Sequence, residues 1–143
     1  AQADTPRLRD LFSRALSWRA ALRRLPGIMS SPFVWFHHNG RATAANRAFY
    51  TALLDIRDAD GPGGMTMLST AEGPFAALGN EGDRHGDRDE WIPFVAVDDV
   101  AAATKRAVGL GATLVRDKTR GPAGEFTVVR DPGGAALALW KKA

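Results

Sequence analysis

The sequence predicts an α+β fold built from two βαβββ modules that form a curved-sheet cleft, with an extra amphipathic helix ahead of them. Three observations carry that expectation. An internal repeat of about fifty residues begins near residue 32. Within each copy, short strand-type runs surround a single helix-type run in the same order. The segment before the repeat has helical, not strand, periodicity.

That first segment reads as one helix over residues 5–25. Leu8, Leu11, Phe12, Ala15, Leu16, Leu22 and Leu25 recur at three- and four-residue spacing, Thr5 and Pro6 suit its start, and Pro26-Gly27 its end. Arg7, Arg9, Arg14, Arg19, Arg23 and Arg24 stand against Asp4 and Asp10 alone, so the +3 net charge of the chain belongs to this segment. The arginines interrupt any apolar stretch of the kind a signal peptide needs. The expected role is packing on the following domain or on a partner subunit, with an anionic membrane or nucleic acid as the alternative surface. Residues 1–28 are therefore read as a helical extension and 29–143 as the domain, with modules at about 32–80 and 91–142.

In the first copy, Phe33 to His38 is an apolar and aromatic strand, followed by a helix from about Thr43 to Leu54. Strands are expected around Leu54 to Asp58, Met65 to Ser69 and Phe75 to Leu78. Gly61-Pro62-Gly63-Gly64 and Glu72-Gly73-Pro74 separate them. The Gly-rich turn lacks a following Lys-Ser/Thr and opens no helix, so it is not a phosphate cradle. In the second copy, Ile92 to Val97 is a strand and Asp98 or Asp99 caps a helix from about Val100 to Leu110. Ala112 to Arg116, Glu125 to Arg130 and Ala135 to Trp140 complete it, the last two joined by Asp131-Pro132-Gly133-Gly134, which suits a type II turn.

Composition excludes several classes. At 143 residues with 45% apolar and 24% charged content, the chain supports one ordinary globular core. It has no cysteine, hence no disulfide, thiolate nucleophile or zinc-thiolate site. No apolar run approaches the roughly 18 residues of a spanning helix. Cytoplasm is the default compartment. The positive charge carries no implication of nucleic-acid binding by the repeat itself, which lacks the excess.

The second copy runs Trp91-Ile92-Pro93-Phe94-Val95-Ala96-Val97-Asp98-Asp99-Val100, then an alanine-rich helix, Gly109-Leu110-Gly111-Ala112 and Arg130-Asp131-Pro132-Gly133-Gly134-Ala135. These motifs, with Ala44 to Tyr50 in the first copy, resemble the vicinal-oxygen-chelate (VOC) superfamily over about residues 32–142. The resemblance implies two modules about a cleft, commonly a homodimer, among relatives such as glyoxalase I, extradiol dioxygenases and bleomycin-sequestering proteins. Enzymes of the superfamily hold one divalent metal through His, Gln or Glu on the first and last strand of each module. Carried onto this chain, those positions fall at Trp35, Ala77, Ile92 and Ala138, none of which offers a metal donor.

Strand alternation puts Trp35, His37, Phe75, Ile92, Phe94 and Trp140 on one surface, and these are the expected ligand-binding residues. His37 is the candidate acid-base group, and His38 points the other way. His85, in the charged loop Glu81 to Glu90, is expected to be solvated. Asp98-Asp99 is expected to cap a helix, not to share a proton. The leading expectation is a protein that binds a small aromatic or amphipathic molecule without metal or other cofactor. The alternatives are a metal-dependent lyase, isomerase or dioxygenase using His37 and one divalent ion, and an interaction module whose N-terminal helix docks on a partner.

Overall fold

Two runs of strand, helix and three strands follow one another along the chain. The first comprises β1 (Phe33–His38), α1 (Thr43–Leu53), β2 (Arg57–Asp60), β3 (Thr66–Thr70) and β4 (Gly73–Leu78), with a short 3-10 turn at Pro62–Gly64. The second comprises β5 (Trp91–Ala96), α2 (Val100–Gly109), β6 (Thr113–Gly121), β7 (Gly124–Arg130) and β8 (Ala136–Lys142). The computed structural model describes residues 31–41, 43–80, 84–121 and 123–143, and Pro32–Ala143 form one compact unit.

The expected architecture of two separate four-stranded sheets plus a third helix is corrected. All eight strands form one mixed sheet in the order β2-β3-β4-β1-β5-β8-β7-β6. Among the described residues there are two α-helices, and the extra N-terminal helix expected over residues 5–25 lies outside them. The sheet is continuous because β1 and β5 pair antiparallel, Trp35 opposite Phe94 and His37 opposite Ile92. That pairing satisfies backbone groups which two separate sheets would leave exposed at their edges.

The two halves nevertheless repeat each other strand for strand. His37 is the parallel partner of Ala77 on β4, and Phe94 the parallel partner of Ala138 on β8. Met67 faces Ala77 on β3, and Val128 faces Ala138 on β7. An approximate two-fold axis therefore passes between Phe36 and Pro93, which oppose each other at the seam. It makes Trp35 equivalent to Ile92, His37 to Phe94, and Ala77 to Ala138.

One face of the sheet carries the core of Ile92, Phe94, Phe126, Val128, Ala136 and Ala138, with Trp35 and Trp140 packed against it. On the opposite face Leu68, Ala76 and Leu78 pack with Tyr50 of α1 and with Trp91, whose indole N–H donates to the Tyr50 hydroxyl at 2.9 Å. α2 packs on β6, β7 and β8 and is capped by Asp99, whose carboxylate accepts from the Ala102 N–H at 2.8 Å. That bond, the largest cause, holds the Asp99 carboxyl below its usual range.

Two local expectations also shift. The strand expected from Leu54 begins at Arg57, because the Leu54 N–H still bonds back to the Tyr50 carbonyl at 2.9 Å and so belongs to the helix end. In the β7–β8 hairpin the positive φ falls at Gly134 (92°) and not at Gly133, with the Gly134 N–H bonded to the Asp131 carbonyl. This is the pattern of a type I turn followed by a left-handed glycine, in place of the expected type II turn.

Candidate functional site

A cleft of about 480 Å³ opens on the sheet face away from α1. Its aromatic walls come from both halves: Trp35 on β1, Phe94 on β5, Phe126 on β7 and Trp140 on β8. Met65 and Met67 close it on the β3 side. Phe94 and Phe126 sit with ring centroids 5.4 Å apart, within the range where aromatic pairs attract.

Of the residues singled out from sequence, Trp35, His37, Phe94 and Trp140 line this cleft together. Ile92 is fully buried in the core beneath it. Phe75 is placed elsewhere, against the Leu68, Ala76 and Leu78 cluster. His38 lies on the opposite face, edge-on to Trp91 at 4.9 Å and Tyr50 at 5.7 Å. Burial is the largest influence there and lowers the His38 pKa from 6.5, against the opposing pull of Asp89 and a backbone hydrogen bond.

His37 occupies a space shaped by small neighbours. Ala77 stands beside it on β4, and a Cβ added at Gly79 would lie 2.5 Å from His37 Nε2. The two-fold makes Gly79 the equivalent of Trp140, since the Gly79 N–H bonds to the His38 carbonyl beside Leu78, and Trp140 follows Leu139 in β8. One half thus leaves a gap where the other places an indole.

His85 belongs to the floor of the cleft and is 4% exposed, which corrects the expectation that it is solvated. Its ring lies 4.2 Å from that of His37 and 4.9 Å, nearly edge-on, from that of Phe126. The loop that carries it is clasped by Asn39, which follows β1. The Asn39 side chain donates to the Gly86 carbonyl at 3.1 Å and the Arg88 carbonyl at 2.7 Å, and accepts from the His85 N–H at 2.7 Å. Arg130 fastens the far end, donating to Glu90 at 2.7 Å and to the Gly134 carbonyl at 3.1 Å. The Glu90 bond, its largest influence, raises the Arg130 pKa further.

Arg116 completes the polar floor. Register shifts flank it on both sides in the β6–β7 pairing, and such irregularities re-aim side chains. Its Nη1 lies 2.6 Å from His85 Nδ1 and 3.0 Å from the Arg84 carbonyl. Its Nε donates to Thr119 Oγ1 at 3.1 Å, and its Cζ sits 5.6 Å from the centre of the Phe126 ring. Neither His85 nor Arg116 was legible as a site residue, because a dense run of charges reads as a solvated loop. The signal that places His85, the bond from Asn39 to a residue 46 positions away, is long-range.

A family model described as glyoxalase-like domain matches residues 2–140. The chain belongs to the glyoxalase-like domain family. Anthracycline biosynthesis protein DnrV of Streptomyces peucetius is 30% identical over 126 residues, covering 76% of this chain and 46% of that protein. The protein named "Putative glyoxylase CFP32" of Mycobacterium tuberculosis is 33% identical over 106 residues, covering 68% of this chain and 41% of its own. The chain therefore spans less than half the length of the curated relatives it matches. A solved glyoxalase/bleomycin resistance protein/dioxygenase superfamily member from Vibrio splendidus has a TM-score of 0.54 at 10% identity, covering 76% of this chain and 97% of its own. An NAD-dependent benzaldehyde dehydrogenase from Legionella pneumophila scores 0.58 at 15% identity, covering 76% and 98%. At such identities the structures share the fold and nothing finer.

The VOC resemblance implies a divalent metal, and the described residues of the cleft do not assemble a site for one. The four positions that correspond to the metal ligands carry Trp35, Ala77, Ile92 and Ala138, and the last three are fully buried with no donor atom. Among the described residues no three His, Asp or Glu side chains converge. His37 and His85 offer two imidazoles, but the Arg116 guanidinium stands against His85, where its fixed positive charge opposes a cation.

Proposed function

We propose that this glyoxalase-like domain binds a small, flat aromatic or amphipathic molecule in its cleft without a metal ion, and that retention of the ligand is its function. One observation carries the reading: apolar side chains stand where metal donors would, and aromatic rings from both halves wall the space in front of them. Such a cleft rewards stacking and burial of apolar area, with orientation left to a few polar groups on its floor. A relative named for anthracycline biosynthesis agrees in kind, since anthracyclines are fused-ring compounds.

Titration of flat aromatic compounds, followed by tryptophan fluorescence of the full chain, tests the reading. Saturable quenching at one ligand per chain, unchanged by a chelator and diminished in Trp140→Phe, is the expected result. A panel that leaves the fluorescence unchanged would overturn it, as would binding that disappears with chelator and returns with Ni²⁺, Zn²⁺, Mn²⁺ or Fe²⁺. The second outcome would restore the metal-dependent alternative built on His37.

A further inference from the structure

The two walls of the cleft are built from side chains of different stiffness. On the β5–β8 side, Phe94 and Phe126 hold each other with ring centroids 5.4 Å apart, and such rings turn about only two side-chain bonds. On the β3 side stand Met65 and Met67, half-buried and unbranched, each with three rotatable bonds and a polarisable sulfur. Met67 occupies the place in the first half that Val128 occupies in the second, since the two face Ala77 and Ala138. Two positions earlier in each half, Met65 corresponds to Phe126. A thioether thus stands where the two-fold would put a phenyl ring.

The neighbours of Met67 leave it room. Its partners on both adjacent strands are alanines, Ala59 on β2 and Ala77 on β4. At Gly61 an added Cβ would lie 2.6 Å from Met67 Cγ and 3.0 Å from its sulfur, so the thioether rests against a residue without a side chain. The backbone of Gly61, at φ −115° and ψ 178°, has the extended form usual before a proline and open to any residue. Packing of Met67, not the turn, is therefore what the glycine serves. A flexible thioether takes up different shapes against a ring, and sulfur–aromatic contact is itself favourable. A β-branched side chain in the same place would hold one shape.

We propose that Met65 and Met67 are specificity-determining residues of the cleft. They form an adjustable face against a flat ring system whose plane the aromatic wall sets, and so admit a class of fused-ring compounds that differ in the substituent along one edge. Gly61 acts as a positioning residue for Met67. The inference rests on the binding reading above and adds to it the breadth of the ligand class.

Two measurements test it on the full chain. With methyl-¹³C methionine the chain gives three methyl signals, and Met65→Leu and Met67→Leu assign two of them. Saturation with 2-hydroxyanthraquinone is expected to move both through its ring current. Quenching of tryptophan fluorescence while both signals stay in place would overturn this inference alone and leave the binding reading standing. A shift of one signal would overturn the role given to the other residue. The second measurement compares 2-hydroxyanthraquinone with its methyl and isopropyl ethers. The wild type is expected to bind the three within about threefold, and Met67→Ile, stiff at χ1, to spread them by about tenfold. Gly61→Ala is expected to shift the Met67 methyl signal of the free protein and to widen the spread likewise. A wild type that discriminates as sharply as Met67→Ile would overturn the adjustable face. A Met67 signal unmoved by Gly61→Ala would overturn the role given to Gly61. Failure of all three compounds to bind would overturn both readings.

Discussion

The two halves of the sheet share a backbone plan and differ in what they place on the cleft. The β5–β8 half supplies hydrophobic walls, with Phe94, Phe126 and Trp140 in front of Ile92 and Ala138. The β1–β4 half puts His37 where its counterpart has Phe94, Gly79 where it has Trp140, and Asn39 where it has Ala96. A repeated scaffold has thus divided its labour. One copy supplies the aromatic walls and the other the histidine and the asparagine that clasps the loop on the cleft floor.

Removing what distinguishes the first half should have the largest effect. Asn39→Ala strips three hydrogen bonds, one of them buried, from the loop that carries His85. We expect a loss of about 3 kcal/mol in urea unfolding, with faster amide exchange at residues 84–90. Ala96→Ser at the equivalent position should move stability by less than about 0.5 kcal/mol. Similar losses at both sites would refute the division of roles.

Next in size is Gly79→Ala, whose new Cβ would crowd His37 Nε2 at 2.5 Å. The cost should be about 1–3 kcal/mol, visible as a lower thermal midpoint, with a shifted His37 imidazole resonance. An unchanged His37 signal would mean that the small residue is not what admits the ring. On the other half, Trp140→Ala should weaken binding of a flat aromatic ligand by about tenfold while changing the His37 and His85 resonances little.

The smallest effect concerns His38 on the opposite face. Its pKa in the folded protein is lowered from 6.5, chiefly by burial beside Tyr50 and Trp91, with Asp89 opposing. The unfolded chain therefore binds the proton more readily. Stability is present in full above pH 6.5 and falls as pH drops below that value toward the folded pKa. His38→Phe, which keeps an aromatic ring against Trp91, should flatten this part of the profile of unfolding free energy against pH. A slope identical to that of the wild type would show that another group governs it.

Strand existence was legible in alternation and helix position in the caps. Asp99 before Val100 is a local signal and a local fact. What alternation could not supply was the seam: Trp35 opposite Phe94 is a pairing of residues far apart in sequence, and it turns two expected sheets into one. Phe75 shows a similar limit, since a place on the expected face of a strand does not say which cluster a side chain joins. His85 was hidden for the opposite reason. A histidine among Arg84, Asp87, Arg88 and Asp89 has the composition of a solvated loop, and the contacts that hold it inward, with Asn39 after β1 and Arg116 on β6, come from residues distant in sequence.

The open sheet also ends somewhere, and its two rims are the places where another chain could add a strand. β2 is only four residues long and entirely exposed, with Arg57, Asp58 and Asp60 among them. β6, the other rim, carries Arg116, Asp117, Lys118 and Arg120 and is broken twice by register shifts. Short length, charge and bulging are the means by which sheet proteins discourage edge-to-edge aggregation. The irregularity beside Arg116 therefore also makes β6 a poor template for a further strand.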